Sequence, residues 1–354
     1  MRGAVAIGEA AVRAGCRYYF GYPITPQNEL PEYMSARLPE VGGVFIQGES
    51  EIASVNMVIG AAAAGGRVMT SSSSPGFSLK QEAISYLVGM ELPAVLVNIM
   101  RGGPGLGNIA PSQADYFQAT RGGGHGDYRL PVLAPAGIQE LADLTYQAFE
   151  LADRYRNPVL IAGDGLISQM MEPVILPEPI DPGSLPAKDY IADGCQGRGK
   201  RALFSYVAEP QLLHQHNLKL QEKFDRMAEN EQRWEAYLTH DAETVIVAWG
   251  TAARIAKGAV NRVRRQGHKV GLFRPISLWP FPKKPLRLAA PGRVCVFELS
   301  AGQMIEDVLL AAGQRSEVFF YGTPGGPIPN AAQVAEFLLS AIQDDGRVGE
   351  KVEL

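Results

Sequence analysis

The chain has 354 residues, with 33 basic and 37 acidic side chains, a net charge of −4, 46% hydrophobic residues and 20% charged ones. That length holds two ordinary domains, and the scattered charges exclude the basic footprint of a nucleic-acid binder or a protein drawn to anionic membranes. No run reaches the roughly eighteen apolar residues of a membrane span, and the first segment carries Glu9 and Arg13 inside its apolar stretch. A cytoplasmic protein without signal peptide is expected.

The pattern from residue 1 to about 165 alternates short β-branched runs with amphipathic segments, the signature of βαβ units. It predicts a helix over 4–14 closed by Gly15, a strand at YYF (18–20), a strand over 43–47 and a helix over 51–64. A strand at 67–71, a helix at 77–90, a strand at 94–100, a helix at 138–153 and a strand at 158–162 follow. AVLVNIM (94–100) lacks polar alternation, which suits a parallel sheet covered on both faces.

Five prolines between residues 173 and 186 close this first unit, 1–172. Residues 173–241 form a linker whose later part, LHQHNLKLQEKFDRMAENEQRWEAYL (213–238), reads as one charged connecting helix. A second α/β pattern fills 242–345: strands at 244–250, 269–273, 293–299 and 317–322, with helices at 252–266, 303–313 and 331–343. The fold class is α/β with two doubly wound domains, and the tail GRVGEKVEL is expected to be loose.

Ligands of open parallel sheets bind beyond the carboxyl ends of the strands, so four loops matter. In Gly21-Tyr22-Pro23-Ile24-Thr25-Pro26, two prolines stiffen the backbone and hold the Thr25 hydroxyl at low entropic cost; a plain rigid turn is the alternative. Glu49 and Glu51 stand where a strand passes into a helix, and either can simply favour the helix N-terminus. Glu51, however, opens a small-residue helix, and a carboxyl pressed into such a crevice can exchange a proton near neutrality. The run Ser71 to Gly76 offers hydroxyls and N–H groups, for an anion or as an ordinary helix cap. Arg101 follows a buried strand, where a guanidinium needs an acid or a bound carboxylate. The glycines after it miss GxGxxG because the sixth position is Asn108, so no dinucleotide fingerprint is present.

Gly163-Asp164-Gly165 imitates the start of a diphosphate–magnesium motif, but no asparagine lies between Asn157 and Asn217 to complete it. It reads as a strand end. The cysteines Cys16, Cys195 and Cys295 are far apart and too few for a cluster of about four thiolates. The five histidines read as solvated or structural.

YPITP (22–26), the ESE of 49–51, SSSSPGFSLKQE (71–82) and RGGPGLGNIAPSQADYFQ (101–118) together resemble the alpha subunits of 2-oxoacid:ferredoxin oxidoreductases. Among them they look most like the branched-chain, 2-oxoisovalerate type. The resemblance spans nearly the whole chain. It implies a thiamine diphosphate pyrimidine-binding domain followed by a transketolase C-terminal-like domain. Mg²⁺ and the diphosphate would be held by a beta subunit, [4Fe-4S] clusters would sit on partner subunits, and coenzyme A would be a co-substrate. Partners would be beta, gamma and ferredoxin-like delta subunits and ferredoxin.

Residue by residue, the resemblance makes Glu51 the cofactor-activating glutamate, because Gly60 lies nine residues on; Glu49 is the competitor. Its carboxyl would hydrogen-bond the pyrimidine so that the 4′-amine can remove the thiazolium proton. The 2-oxo acid would then lose CO₂, two electrons would leave singly, and coenzyme A would take the acyl group. Thr25 and Arg101 match positions that bind the substrate carboxylate, and Tyr22, Pro23, Ile24 and Pro26 would shape the pocket, with Ile24 and Pro26 against the cofactor. Asn108, Ser74, Lys80 and Gln113 are further candidates, Ser74 for cofactor; Lys80 otherwise belongs to a solvated helix face. The loop Gly322 to Gly326 reads as a turn or as an interface or coenzyme A contact. Competing readings are a 2-oxoglutarate-, pyruvate- or indolepyruvate-specific relative, or a non-catalytic assembly subunit with a degenerate site.

Overall fold

A computed structural model describes residues 1–290, 292–313, 316–343 and 348–352. In chain order the first half runs α1 (Gly3–Arg13), β1 (Tyr18–Gly21), α2 (Glu29–Glu40), β2 (Val44–Gln47), α3 (Glu51–Ala63), β3 (Val68–Ser72), α4 (Ser74–Ser78), α5 (Gln81–Gly89) and β4 (Ala94–Met100). It continues with α6 (Tyr116–Arg121), β5 (Val132–Leu133), α7 (Ile138–Tyr155), β6 (Pro158–Asp164), α8 (Gly165–Gln169) and α9 (Pro210–Asn230). Then come β7 (Trp234–Tyr237), β8 (Thr244–Val247), α10 (Gly250–Arg264), β9 (Val270–Pro275), β10 (Ser277–Trp279), α11 (Lys283–Ala289) and β11 (Arg293–Glu298). The last elements are α12 (Met304–Ala312), β12 (Glu317–Gly322), α13 (Ala331–Gln343) and β13 (Glu350–Val352).

Two sheets result, ordered β10-β5-β6-β4-β3-β1-β2 and β13-β12-β11-β8-β9-β7. The inner pairs of both are parallel, and antiparallel strands appear only at edges. AVLVNIM is buried at every position because the sheet is covered on both sides. Val95, Val97 and Ile99 pack with α1 and α7. Leu96 and Met100 face the opposite way, into a core that also takes Val247, Trp249, Phe273 and Val296 from the second domain. The two domains therefore share apolar packing, which contributes about 25 cal/mol per Å² of apolar surface removed from water. At the rim of the seam Arg274 is bidentate to Glu140 (2.8 and 2.9 Å) and meets Glu235 at 2.8 Å.

Four sequence expectations are corrected. The helix expected over 77–90 is two helices, α4 and α5, broken at Leu79 and Lys80, where a 3₁₀-type bond from Lys80 N–H to the Phe77 carbonyl tightens the turn. The charged helix stops at Asn230: Trp234–Tyr237, alternately exposed and half-buried, pairs with β9 as an antiparallel edge. The tail is not loose at residues 350–352, which pair with β12 as an edge strand; its residues 346, 347, 353 and 354, and the expected domain end at 345, lie outside the described residues. Lys80 is fully buried rather than solvated. Among the described residues no helix is long and apolar enough to cross a membrane.

Candidate active site

Strands β2, β1, β3 and β4 are neighbours in the first sheet and run parallel, so the four loops singled out in the sequence leave the same edge side by side. Glu51 is the first residue of α3, whose N-cap Ser50 accepts a hydrogen bond from Ala53 N–H at 3.1 Å. Its side chain is 6% exposed, whereas Glu49 is exposed to solvent. The carboxyl lies over the start of α4. A Cβ on Gly76 would collide with Glu51 Oε1 and Ser72 Oγ, so glycine is what lets the carboxyl approach this backbone.

Arg101 follows β4 directly and is 7% exposed. One guanidinium nitrogen donates to the Thr25 carbonyl (2.7 Å), the other terminal nitrogen to the Leu106 carbonyl (3.0 Å), and Nε is buried without a partner. No carboxylate of the described residues pairs with it. A buried guanidinium held by two neutral carbonyls and lacking a counter-anion is arranged to receive one. Thr25 itself is exposed, and Asn28 donates to its hydroxyl at 3.4 Å; Tyr22 and Ile24 are half-buried, Pro23 exposed and Pro26 buried. Pro26 packs toward Gly165, and Gln169 of α8 donates to its carbonyl.

Other candidates are engaged elsewhere. The Ser74 hydroxyl accepts from Arg101 N–H (3.0 Å) and donates to Asp115 (2.6 Å), while Asn98 braces both Asp115 (2.9 Å) and Ser74 N–H (3.0 Å). Ser74, itself at a left-handed φ of 26°, thus holds the Arg101 backbone instead of offering a free hydroxyl. Burial pushes the Asp115 carboxyl above its usual range, against those two donors. Gln113 is buried at the domain seam, its amide spent on the Trp249 carbonyl (2.8 Å) and Leu299 N–H (3.0 Å). Asn108 donates to the Gly325 carbonyl (2.7 Å), so the loop Gly322 to Gly326 braces the arginine loop from the second domain. Asp164 caps α8 through Leu166 and Ile167 N–H groups, as a strand end should.

Sequence reasoning missed Asn98, Asp115 and Thr70. A polar residue inside AVLVNIM was the signal for Asn98, since a buried amide in an apolar strand needs partners. Thr70 accepts from the buried Lys80 ammonium at 2.7 Å, a contact made by the helix break that periodicity did not show.

The crevice fits a pyrimidine-bearing cofactor: the Ser72 hydroxyl, which meets the Glu51 carboxyl over Gly76, is buried without a partner, and so is the Ser73 hydroxyl. Among the described residues no group of three or more His, Cys, Asp or Glu side chains stands together in a way that could hold a metal ion.

Comparison with known proteins agrees. The chain is 51% identical over 318 residues to the ketoisovalerate oxidoreductase subunit VorB of Methanothermobacter marburgensis, covering 89% of this chain and 90% of that one. It is 36% identical to the 2-oxoglutarate synthase subunit KorA of Methanocaldococcus jannaschii, over 96% of this chain and 98% of that one. Among solved structures, 2-oxoglutarate:ferredoxin oxidoreductase from Magnetococcus marinus, with 2-oxoglutarate, coenzyme A and succinyl-CoA bound, superposes with a TM-score of 0.82 at 26% identity. That match covers 97% of this chain and 65% of the solved one, so this chain spans about two thirds of its length. Residues 242–334 match pyruvate:ferredoxin oxidoreductase core domain II, and residues 9–236 match the thiamine diphosphate-binding domain of pyruvate flavodoxin/ferredoxin oxidoreductases, the family to which this chain belongs.

Proposed function

We propose that the chain is the alpha subunit of a heteromeric enzyme that oxidatively decarboxylates a branched-chain 2-oxo acid to acyl-CoA, CO₂ and reduced ferredoxin. The observation that carries this reading is the buried Arg101 guanidinium, held between the YPITP and RGGPGLG loops without a carboxylate partner. It binds the substrate carboxylate, with Thr25 at its side. A 2-oxoglutarate pocket would need a second cation for the distal carboxylate. The mouth carries Leu106 and Ile109 instead, 78% and 64% exposed, which suit an aliphatic side chain. The identity to a ketoisovalerate oxidoreductase subunit supports the same choice.

Thiamine diphosphate, when bound, supplies the nucleophilic carbon and the electron sink that decarboxylation of a 2-oxo acid requires. Glu51 holds the pyrimidine ring and moves a proton at its carboxyl, and its burial beside Gly76 keeps water from competing for that proton. Ser74, Asn98 and Asp115 fix the Arg101 backbone, so the substrate carboxylate is oriented without further ordering cost. Tyr22, Pro23, Ile24, Pro26 and Asn108 shape the walls. In this reading Mg²⁺ and the diphosphate are held by a beta subunit, and [4Fe-4S] clusters lie on beta and ferredoxin-like delta subunits alongside gamma. Three cysteines, two of them buried, cannot ligate such a cluster here. The complex works in the cytoplasm with ferredoxin as acceptor, and the linker at 173–241 separates the two domains.

The test is an anaerobic tagged pull-down followed by coenzyme A-dependent viologen reduction over a panel of 2-oxo acids. Reduction led by 2-oxoisovalerate with an iron–sulfur partner present is expected. Reduction led by 2-oxoglutarate or pyruvate overturns the specificity, and an assembled complex inactive on the whole panel overturns the enzyme reading.

A further inference from the structure

Among the described residues two lysines are buried, and they differ in kind. Lys223 on α9 pairs with Glu91 at 3.5 Å and donates to the Arg156 carbonyl, which accounts for it as an anchor. Lys80 has no exposed surface, and its ammonium donates to a single neutral oxygen, Thr70 Oγ1, at 2.7 Å. A buried ammonium with one hydroxyl as partner is costly to keep, so its surroundings must be asked what it serves.

Those surroundings lead to Glu51. Thr70 and Ser72 stand two residues apart on β3 and share one face of the strand. Ser72 Oγ and Glu51 Oε1 both press on Gly76, one helical turn before Lys80, and Ser72 Oγ has no hydrogen-bond partner. A buried polar row therefore runs from Lys80 past Thr70 and Ser72 to the Glu51 carboxyl. Of the elements packed around Lys80, α3 contributes the charge that acts on it, Glu51, while β3 contributes only the uncharged Thr70.

We propose that Lys80 is a positioning residue for the cofactor reaction, its ammonium serving as the internal counter-charge of the Glu51 carboxylate behind the Thr70–Ser72 face of β3. The inference rests on the assignment of Glu51 as the residue that activates thiamine diphosphate. Burial drives the Lys80 amine down to about 7, with Glu51 opposing that fall. The Lys80 amine thus changes its charge inside the neutral range, where the ammonium of an ordinary lysine does not titrate.

The test has two readouts. The first needs no cofactor: thermal unfolding of the full chain at pH 6.5 for the wild type, Glu51→Gln, Lys80→Met and the double variant. Glu51→Gln should lower Tm in the wild-type background, because it strands the ammonium, and leave it unchanged or higher in the Lys80→Met background. A non-additivity of about 2–4 °C is expected; additive shifts overturn the proposal. The second readout is the pH dependence of turnover in the assembled complex. An ionisation near neutrality should be present in the wild type and absent in Lys80→Met. It should move to lower pH in Thr70→Val, which leaves the ammonium without its acceptor. A profile unaltered by Lys80→Met overturns the role in turnover. Coupled Tm values together with a Glu51→Gln complex that turns over normally would overturn the assignment of Glu51 while supporting the pairing itself.

Discussion

Replacing Lys80 by methionine keeps most of the side-chain volume and removes the buried ammonium, so the change in stability isolates what that charge costs. The amine stands at about 7 in the folded chain against an ordinary 10.5, a gap of about 3.5 pH units worth about 5 kcal/mol. The sign follows from proton counts: between those values the unfolded chain binds the proton more tightly, so stability rises with pH across the window. Below about pH 7 the full cost is present; by pH 10.5 it has gone. Against the gain from Lys80→Met stands the lost hydrogen bond to Thr70, about 1.5–3 kcal/mol for a charged donor. The net expectation is a stabilisation of about 2–3 kcal/mol at pH 6 that shrinks and reverses by pH 10. Urea unfolding of both chains at unit pH steps measures this through the transition midpoint. A difference that stays constant from pH 6 to 10 would refute the reasoning.

Arg101→Met should lower kcat/KM for the 2-oxo acid by the equivalent of about 2–5 kcal/mol, and Arg101→Lys should not restore it, since an ammonium cannot span the Thr25 and Leu106 carbonyls; steady-state kinetics of the complex decide. Leu106→Ser should weaken use of 2-oxoisovalerate by about 1–3 kcal/mol relative to pyruvate, read as a ratio of kcat/KM values. Asp115→Ala removes the acceptor of both Ser74 and Asn98 and should cost about 1–3 kcal/mol in chemical denaturation. Arg274→Ala leaves Glu140 and Glu235 facing one another at the domain seam, with an expected loss of about 3–5 kcal/mol in the same assay.

Much of the site was legible in the sequence because it depends on chain order. Loops that follow parallel strands leave one edge of the sheet, so chain order alone puts Thr25, Glu51 and Arg101 at that edge. Glu51 is buried and Glu49 exposed, a difference that spacing alone does not show. Contacts across the tertiary structure were not legible. Gln113 and Asn108 look like pocket residues beside Arg101, yet the second domain claims their amides through Trp249, Leu299 and Gly325. Lys80 reads as a solvated helical position because periodicity assumes an unbroken helix, and the break at Leu79 and Lys80 turns that assumption over.

The short strand β10 comes from beyond β9, in the second half of the chain, yet it completes the first sheet by pairing antiparallel with β5. The two domains are thus threaded together and do not follow one another as independent beads. A ribosome that has released only residues 1–241 has delivered a sheet whose β5 edge is still open, with its main-chain donors and acceptors bare. Expression of that fragment alone should give an aggregation-prone product, and fusion or library construction on this scaffold is better placed at exposed loop tips than at the apparent interdomain boundary.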